Sequence, residues 1–220
     1  MRVVIAGGHG KIALILEKLL ADRGDSVAGL IRNPDQSADL RRAGAEAVVL
    51  DLENSSVDRV AGLLANADAV VFAAGAGPGS GIDRKRTVDR DAAILLADAA
   101  EAAGVSRYLM VSAMGADDRS PQDVGDPVFA AYLKAKAAAD DAIRALSGLN
   151  STIVRPGALT DDAGTGRVRV AKSTGRGSIP RADVAAVLVA LLDAPATGGV
   201  TFELISGDTP IDDAVSPLGR

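Results

Sequence analysis

The sequence VVIAGGHGKIA, residues 3–13, determines how the rest of the chain is interpreted. Its β-branched start predicts a strand, its glycines predict a tight turn, and the apolar residues that follow at helical spacing predict a helix ending at Gly24. Gly7 permits the sharp turn, Gly10 leaves room for a ligand beside the backbone, and Ala13 lets the helix lie close to the strand. Because the first N–H groups of a helix attract anions, this turn predicts a phosphate-binding site.

Strand-like and helical segments alternate through the remaining chain. Strands are predicted at residues 2–6, 27–32, 45–52, 69–74, 107–112, 152–155 and 201–205. Alternation of this kind predicts an α/β fold, a doubly wound parallel sheet with helices on both faces. Since no linker or internal repeat interrupts the pattern, we expect a single domain over residues 1–220, in which residues 158–182 and 195–220 form substrate-side loops and a small C-terminal extension.

The composition excludes several classes of function. The 220 residues carry 24 Lys+Arg and 29 Asp+Glu, a net charge of −5, with no Cys, one His, three Phe, two Tyr and no Trp. The absence of Cys and the single His argue against a metal site, so we expect no metal. An acidic chain with few aromatic residues is unsuited to nucleic acid. No apolar run approaches a membrane span and no apolar leader follows Met1, which favours a cytoplasmic protein with a small-molecule substrate.

The strand–turn–helix context of the glycine turn favours a dinucleotide cofactor. We expect its pyrophosphate to lie at the turn, contacted by Gly7, His9, Gly10, Lys11 and Ile12. A P-loop is excluded because Ile12 stands where that motif requires Ser or Thr. The alternative is an ordinary tight turn. His9 is assigned to the loop beside the phosphate rather than to catalysis.

The ends of the following strands predict the rest of the cofactor site. Arg32 ends the second strand, where a carboxylate would bind the ribose of NAD, and its guanidinium instead suits the 2′-phosphate of NADP. We therefore predict NADP(H) in preference to NAD(H), with a solvated arginine as the alternative. The other strand ends predicted to border the cofactor are Asp51, Leu52, Ala73, Ala74 and Gly75.

A tyrosine and a lysine lie four residues apart in the helix predicted around residues 128–146. This spacing places Tyr132 and Lys136 on one face, and Ser112 ends the preceding strand. Because an ammonium favours tyrosinate, we expect Lys136 to lower the pKa of Tyr132, which would donate a proton to a carbonyl as hydride arrives. Ser112 would orient the carbonyl, and Lys136 would also bind the nicotinamide ribose. The alternative is an ordinary surface pair on an alanine-rich helix.

These motifs occur in the order seen in short-chain dehydrogenases/reductases, and the chain most resembles the atypical branch of NmrA-like and flavin/biliverdin-reductase-like NAD(P)H-binding proteins. The resemblance rests on GGHGKIA at 7–13, IRNP at 31–34, VSA at 111–113, the Tyr132–Lys136 spacing and IVRPG at 153–157. It implies a Rossmann-type fold. It also implies that the nicotinamide is bordered by Pro156, Gly157, Ala158 and Leu159. One departure matters, since Asp89 stands where Asn often completes the catalytic set.

The residues and the resemblance leave three functions open. The first is an NADPH-dependent oxidoreductase that transfers hydride to a small carbonyl, quinone or flavin-like acceptor. The second is a non-catalytic, NADP(H)-sensing regulator that signals to a protein partner. The third is a flavin or quinone reductase in which Tyr132 is only structural. The basic residues of segment 164–181 either attract an acidic substrate or form a solvated hairpin, and we expect a monomer or a dimer.

Overall fold

A nine-stranded mixed sheet forms the centre of the computed structural model, which describes residues 1–77, 79–117 and 125–219. The strands of the described residues are β1 (Arg2–Ala6), β2 (Ser26–Ile31), β3 (Glu46–Val49), β4 (Ala69–Phe72), β5 (Arg107–Val111), β6 (Asn150–Pro156), β7 (Ala158–Thr160), β8 (Arg167–Ala171), β9 (Ser178–Pro180), β10 (Thr201–Ser206) and β11 (Thr209–Pro210). The order across the sheet is β11-β8-β10-β6-β5-β4-β1-β2-β3, and β7 pairs with β9 in a separate parallel ribbon.

The connections between the strands create a crevice at one end of the sheet. All neighbouring strands from β3 across to β10 are parallel, whereas β8 is antiparallel to β10 and β11 is antiparallel to β8. The chain winds outward from β1 to β3 and then crosses to β4 on the opposite side of β1. Ligands of such sheets bind where these connections diverge, at the carboxyl ends of β1 and β4. This topology confirms the predicted doubly wound, Rossmann-type α/β domain.

Helices cover both faces of the sheet. They are α1 (Lys11–Asp22), α2 (Ser37–Arg42), α3 (Val57–Leu64), α4 (Ile82–Arg84), α5 (Ala93–Ala102), α6 (Pro127–Ala145), α7 (Arg181–Leu192) and α8 (Ile211–Val215), and a π-helical segment, Lys85–Ala92, joins α4 to α5. Alternate residues of β1 point into opposite cores. Val3 and Ile5 pack with α1 and α7, whereas Val4 packs with α3, α5 and α6. No helix in the described part of the chain is both long and apolar enough to cross a membrane.

The segment predicted as substrate-side loops, residues 158–182, contains three strands instead. In β8, Val168 is buried between the exposed Arg167 and Arg169. Because β8 pairs with β10, this part of the basic segment belongs to the main sheet and is not a flap over the crevice. In the sequence, the charged arginines make this segment resemble a loop and hide the alternation of exposed and buried side chains that is typical of a strand.

Candidate functional site

Two adjoining cavities open where the sheet connections diverge. We call the first the β2–β3 cavity, and its lining includes Gly7, His9, Gly10, Arg32, Asp51, Leu52, Glu53 and Arg84. We call the second the α6 cavity, and its lining includes Ile12, Lys85, Asp89, Ser112, Phe129, Tyr132, Lys136 and Leu159. Both linings include Ala73, Ala74 and Gly75, so one elongated ligand fits across the two cavities.

The glycine turn between β1 and α1 has the form expected of a phosphate site. Gly7 has a φ of +79°, and a Cβ there would lie 2.6 Å from the Cα of Ala74, so the position requires glycine. The Gly10 N–H donates to the Gly7 carbonyl at 2.7 Å, and no side chain from the described residues caps the N-terminus of α1. The first N–H groups of α1 therefore remain available to an anion. The turn fits the pyrophosphate of a dinucleotide.

His9 and Lys11 make polar contacts at the rim of this turn. His9 lines the β2–β3 cavity, with its Nε2 2.7 Å from Asp39 Oδ2. Lys11 Nζ donates to Asp161 Oδ2 at 2.5 Å, and Arg181 donates to the other oxygen of that carboxylate at 2.6 Å. These exposed contacts join the start of α1 to the start of α7. His9 therefore lies on the cofactor side of the crevice, away from Tyr132.

Arg32 lies in the β2–β3 cavity, where it shares a carboxylate with a second arginine. Arg32 Nη1 donates to Glu53 Oε2 at 3.0 Å, and Arg84 Nη2 donates to the same oxygen at 2.8 Å. The Thr87 hydroxyl donates to the other oxygen at 2.5 Å, and Asp51 accepts the Glu53 N–H at 3.0 Å. Sequence reasoning missed Glu53 and Arg84. The sequence carries a signal for each: Glu53 is an acid directly after a predicted strand, and Arg84 is the first residue of a basic run.

Lys136 is the buried cation of the α6 cavity. Its Nζ donates to the carbonyls of Val111 at 3.1 Å and Ala74 at 3.5 Å, and it lies 3.5 Å from Asp89 Oδ1. The side chain is 3% exposed and that of Asp89 is fully buried. The same Nζ lies 6.0 Å from the ring centroid of Tyr132, on the same helix face. Asp89, which the sequence marks only as a departure from the family pattern, is thus the counterion of Lys136.

The predicted effect of Lys136 on the phenol of Tyr132 is wrong. Burial raises the pKa of Tyr132 well above its usual value, and the carboxylates of Asp89 and Asp140 raise it further. Burial also lowers the pKa of Lys136. The ammonium does not dominate because Asp89 balances its charge from 3.5 Å, closer than the 6.0 Å to the phenol ring. Tyr132 therefore keeps its proton at neutral pH.

Ser112 belongs to a buried charged network behind the α6 cavity. Its Oγ donates to Asp140 Oδ2 at 2.9 Å, and Arg155 donates to the same oxygen through Nε at 2.9 Å and Nη2 at 2.8 Å. With its hydrogen committed, the hydroxyl can accept a hydrogen bond from a ligand but cannot donate one to a carbonyl. This arrangement argues against the predicted orienting role of Ser112. Asp140 was missed, although it lies four residues after Lys136 on the same face of α6.

The four residues that the resemblance places beside the nicotinamide have different surroundings. Pro156 is buried in β6, and a Cβ on Gly157 would lie 2.4 Å from the Gly177 carbonyl oxygen. Ala158 belongs to the β7–β9 ribbon. Leu159 lines the α6 cavity. Pro156 and Gly157 therefore pack closely at this end of the sheet, whereas Ala158 is exposed and Leu159 borders the α6 cavity.

One wall of the α6 cavity is aromatic and positively charged. Phe129 and Tyr132 stack with their ring centroids 5.9 Å apart and their planes at 29°, and Phe129 is 46% exposed. Lys85 Nζ lies 5.3 Å from the Tyr132 centroid and donates to the Gly77 carbonyl at 3.0 Å. Because aromatic faces stack in offset, parallel arrangements, this wall suits a flat ligand.

Comparison with known proteins agrees with this geometry. A family model described as NAD(P)H-binding matches residues 7–195. Among curated proteins, "Uncharacterized sugar epimerase YhfK" of Bacillus subtilis is 40% identical over 219 residues, which cover 99% of this chain and 100% of the relative.

Solved structures show the same likeness. A "Putative NAD-dependent epimerase/dehydratase" of Bacillus halodurans has a TM-score of 0.90 and 41% identity, covering 99% of this chain and 100% of its own. ChuY, "An Anaerobillin Reductase" of Escherichia coli O157:H7, has a TM-score of 0.79 and 26% identity, covering 94% and 98%. These matches confirm the suspected resemblance. The chain belongs to the NAD(P)H-binding family, which is consistent with the atypical branch of the short-chain dehydrogenases/reductases.

Proposed function

We propose that the protein is an NADPH-dependent reductase that transfers hydride to a small, flat carbonyl, quinone or flavin-like acceptor. The observation that carries this proposal is the position of Tyr132, which lines the α6 cavity 6.0 Å from the buried Lys136 ammonium, at one end of a crevice that fits a dinucleotide. The bound dinucleotide supplies the hydride. Tyr132 supplies the proton that the reduced oxygen requires, so hydride and proton together complete a two-electron reduction.

The other residues of the α6 cavity hold the reactants in place. Lys136, held by two backbone carbonyls, would bind the ribose hydroxyls of the cofactor through its ammonium, and Asp89 balances the buried charge. Phe129 provides an exposed aromatic face for a flat acceptor, and Leu159 provides an apolar contact. These groups position the acceptor, and Tyr132 remains the group that exchanges a proton with it.

The preference for NADPH over NADH rests on Arg32. Arg32 lines the β2–β3 cavity and its side chain is 55% exposed, so a phosphate can reach it. We expect wild type to bind NADPH more tightly than NADH, and Arg32→Ala to lose most of this difference. Titration of both cofactors into both proteins measures it, and equal affinities in wild type would contradict the preference.

Two similar proteins carry epimerase names, and we favour reduction over epimerisation for a physical reason. An epimerase that works through transient oxidation must first remove a proton from a hydroxyl group, which requires a base at the position of Tyr132. A phenol whose pKa is raised by burial and by two carboxylates is a poor base at neutral pH. The same phenol retains the proton that a reduction consumes.

The substitution Tyr132→Phe tests the proposed chemistry. We expect NADPH oxidation with a carbonyl or quinone acceptor to fall about 100-fold or more, because the proton donor is lost, while NADPH affinity stays within about twofold. The matched control is Tyr108→Phe. It removes a hydroxyl that donates to the Ala93 carbonyl at 3.1 Å inside the core, outside both cavities, and activity should persist.

Other outcomes of this experiment identify other functions. Flavin reduction that is unchanged in Tyr132→Phe would show that hydride passes directly to a ring. Tight NADPH binding without oxidation across a panel of carbonyls, quinones and flavins would support a cofactor-sensing regulator that acts on a protein partner. Interconversion of a nucleotide sugar without net cofactor consumption would establish an epimerase.

A further inference from the structure

Arg84 and Arg32 reach the same carboxylate from two different parts of the chain. Arg32 follows β2, and Arg84 ends α4, after the glycine-rich loop that follows β4. Both donate to Glu53 Oε2, at 3.0 and 2.8 Å, inside the β2–β3 cavity. The Nε of Arg84 is buried and has no hydrogen-bond partner in the described residues. Arg84 therefore has donors that Glu53 does not use, and because its side chain is 40% exposed a ligand in the cavity can reach it.

Arg32 and Arg84 have more donors than this cluster uses, and the other carboxylate of the cavity lining, Asp51, accepts from the Glu53 N–H and the Asn54 side chain. The Glu53 carboxylate faces two guanidinium groups, and its second oxygen is occupied by the neutral Thr87 hydroxyl at 2.5 Å. Each guanidinium has five N–H donors, of which this contact uses one apiece. A phosphate monoester carries nearly two negative charges and three acceptor oxygens, which suits two guanidinium groups with unused donors. A neutral ribose hydroxyl brings one acceptor oxygen and no charge.

We propose that Arg84 is a second 2′-phosphate-binding residue, and that Glu53 is a counterion that holds both arginines in position and competes with the phosphate for them. The proposal deepens the proposed preference for NADPH and rests on it. Arg84 determines specificity together with Arg32, whereas Glu53 positions the pair and weakens phosphate binding. The next two basic residues lie elsewhere: Lys85 lines the α6 cavity, and Arg86 is exposed beside Asp83.

The test uses two nucleotides that differ only in the 2′-phosphate, adenosine 2′,5′-bisphosphate and 5′-AMP, titrated calorimetrically into the full chain. In Arg84→Ala we expect the affinity for the bisphosphate to fall about tenfold or more, with 5′-AMP changed less than about twofold. Arg84→Lys keeps the charge without the fork of donors and should recover part of the loss. Arg86→Ala, two residues away and exposed, is the matched control and should bind both nucleotides as wild type does.

The substitution Glu53→Gln gives a result of opposite sign. The amide oxygen still accepts from the arginines while the competing charge is gone, so the affinity for the bisphosphate should rise about threefold or more, with 5′-AMP unchanged. Weaker binding of both nucleotides in Glu53→Gln would overturn the proposal, because Glu53 would then be a ribose ligand. If wild type prefers the bisphosphate and Arg84→Ala binds the bisphosphate as tightly as wild type does, the role of Arg84 alone is overturned. If wild type binds the bisphosphate no more tightly than 5′-AMP, the proposed preference for NADPH over NADH is overturned as well.

Discussion

Glu17 places a carboxyl group in the interior directly beneath the glycine turn. Its side chain is fully buried, and neither oxygen has a hydrogen-bond partner among the described residues. A Cβ added to Gly8 would lie 2.9 Å from Oε1, and one added to Gly29 would lie 2.4 Å from it. Burial raises the pKa of Glu17 from 4.5 to about 8. The packing of α1 under the cofactor turn therefore depends on a protonated acid at neutral pH.

This buried acid predicts a pH-dependent stability. The unfolded chain releases the proton above its usual pKa of 4.5, whereas the folded protein holds it to about pH 8. Folding thus takes up a proton between these values, so the contribution of Glu17 to the free energy of unfolding falls as pH rises, by about 1.4 kcal/mol per pH unit. Glu17→Gln cannot ionise and should remove this slope, as measured by urea unfolding between pH 5 and 8.

The matched control for this measurement is Glu46→Gln, which removes an exposed carboxylate on β3 and should leave the slope unchanged. A wild-type slope no steeper than that of Glu17→Gln would show that Glu17 is ionised in the folded protein. Nothing in the sequence alone marks Glu17, because a glutamate in an amphipathic helix is usually on the solvent face. The spacing of Tyr132 and Lys136 predicts that both lie on one face of α6. It does not predict the protonation state of the phenol. That state depends first on the burial of the phenol and then on the carboxylates of Asp89, from another part of the chain, and Asp140, two turns further along the helix.

At the scale of elements, the β1–α1 turn functions only if it can lie against the end of β4. Gly7 and Gly24 both have positive φ, +79° and +92°, but only at Gly7 does a Cβ meet a neighbour, Ala74, within 4 Å. An alanine at either position carries a left-handed backbone strain of about 1–2 kcal/mol. Gly7→Ala must in addition displace the chain that both cavities share.

We therefore expect Gly24→Ala to lose about 1–2 kcal/mol of stability and to bind NADPH as wild type does. Gly7→Ala should lose more stability and at least about tenfold in NADPH affinity, because the phosphate turn moves away from β4. Urea unfolding and cofactor titration of the two variants measure these effects. Equal cofactor affinities in the two variants would show that the contact with Ala74 is not required for binding.

Elements with strong periodicity could be predicted, and elements whose pattern is masked by charge could not. The residues from Val3 to Ala6 are all apolar, and the strand predicted at residues 2–6 is β1. The predicted strand at 45–52 ends early at Val49, because Asp51 caps a short 3₁₀ helix with its side chain. That cap turns Glu53 back toward Arg32, which is why the acid of the β2–β3 cavity was missed.

At the scale of the molecule, the crevice joins the two halves of the winding. The β2–β3 cavity is built mainly from the first half, β1 to β3, with Arg84 added from α4. The α6 cavity is built from the ends of β4 and β5 and from α6. The shared residues Ala73 to Gly75 lie between them. A dinucleotide that spans both cavities therefore binds only the fully assembled sheet.

This arrangement predicts that cofactor binding stabilises the whole domain. A ligand that binds the folded state alone, at 100 times its dissociation constant, adds about 2.7 kcal/mol to the free energy of unfolding. For a chain of this size we expect NADPH to raise Tm by about 5–10 °C. NADH at the same concentration should raise it less, and Arg32→Ala should reduce the NADPH shift toward the NADH value. Tyr132→Phe should keep the full NADPH shift, since its proton serves the acceptor and not the cofactor. Thermal unfolding with each cofactor measures these shifts, and a Tm unchanged by saturating NADPH would contradict binding across the crevice.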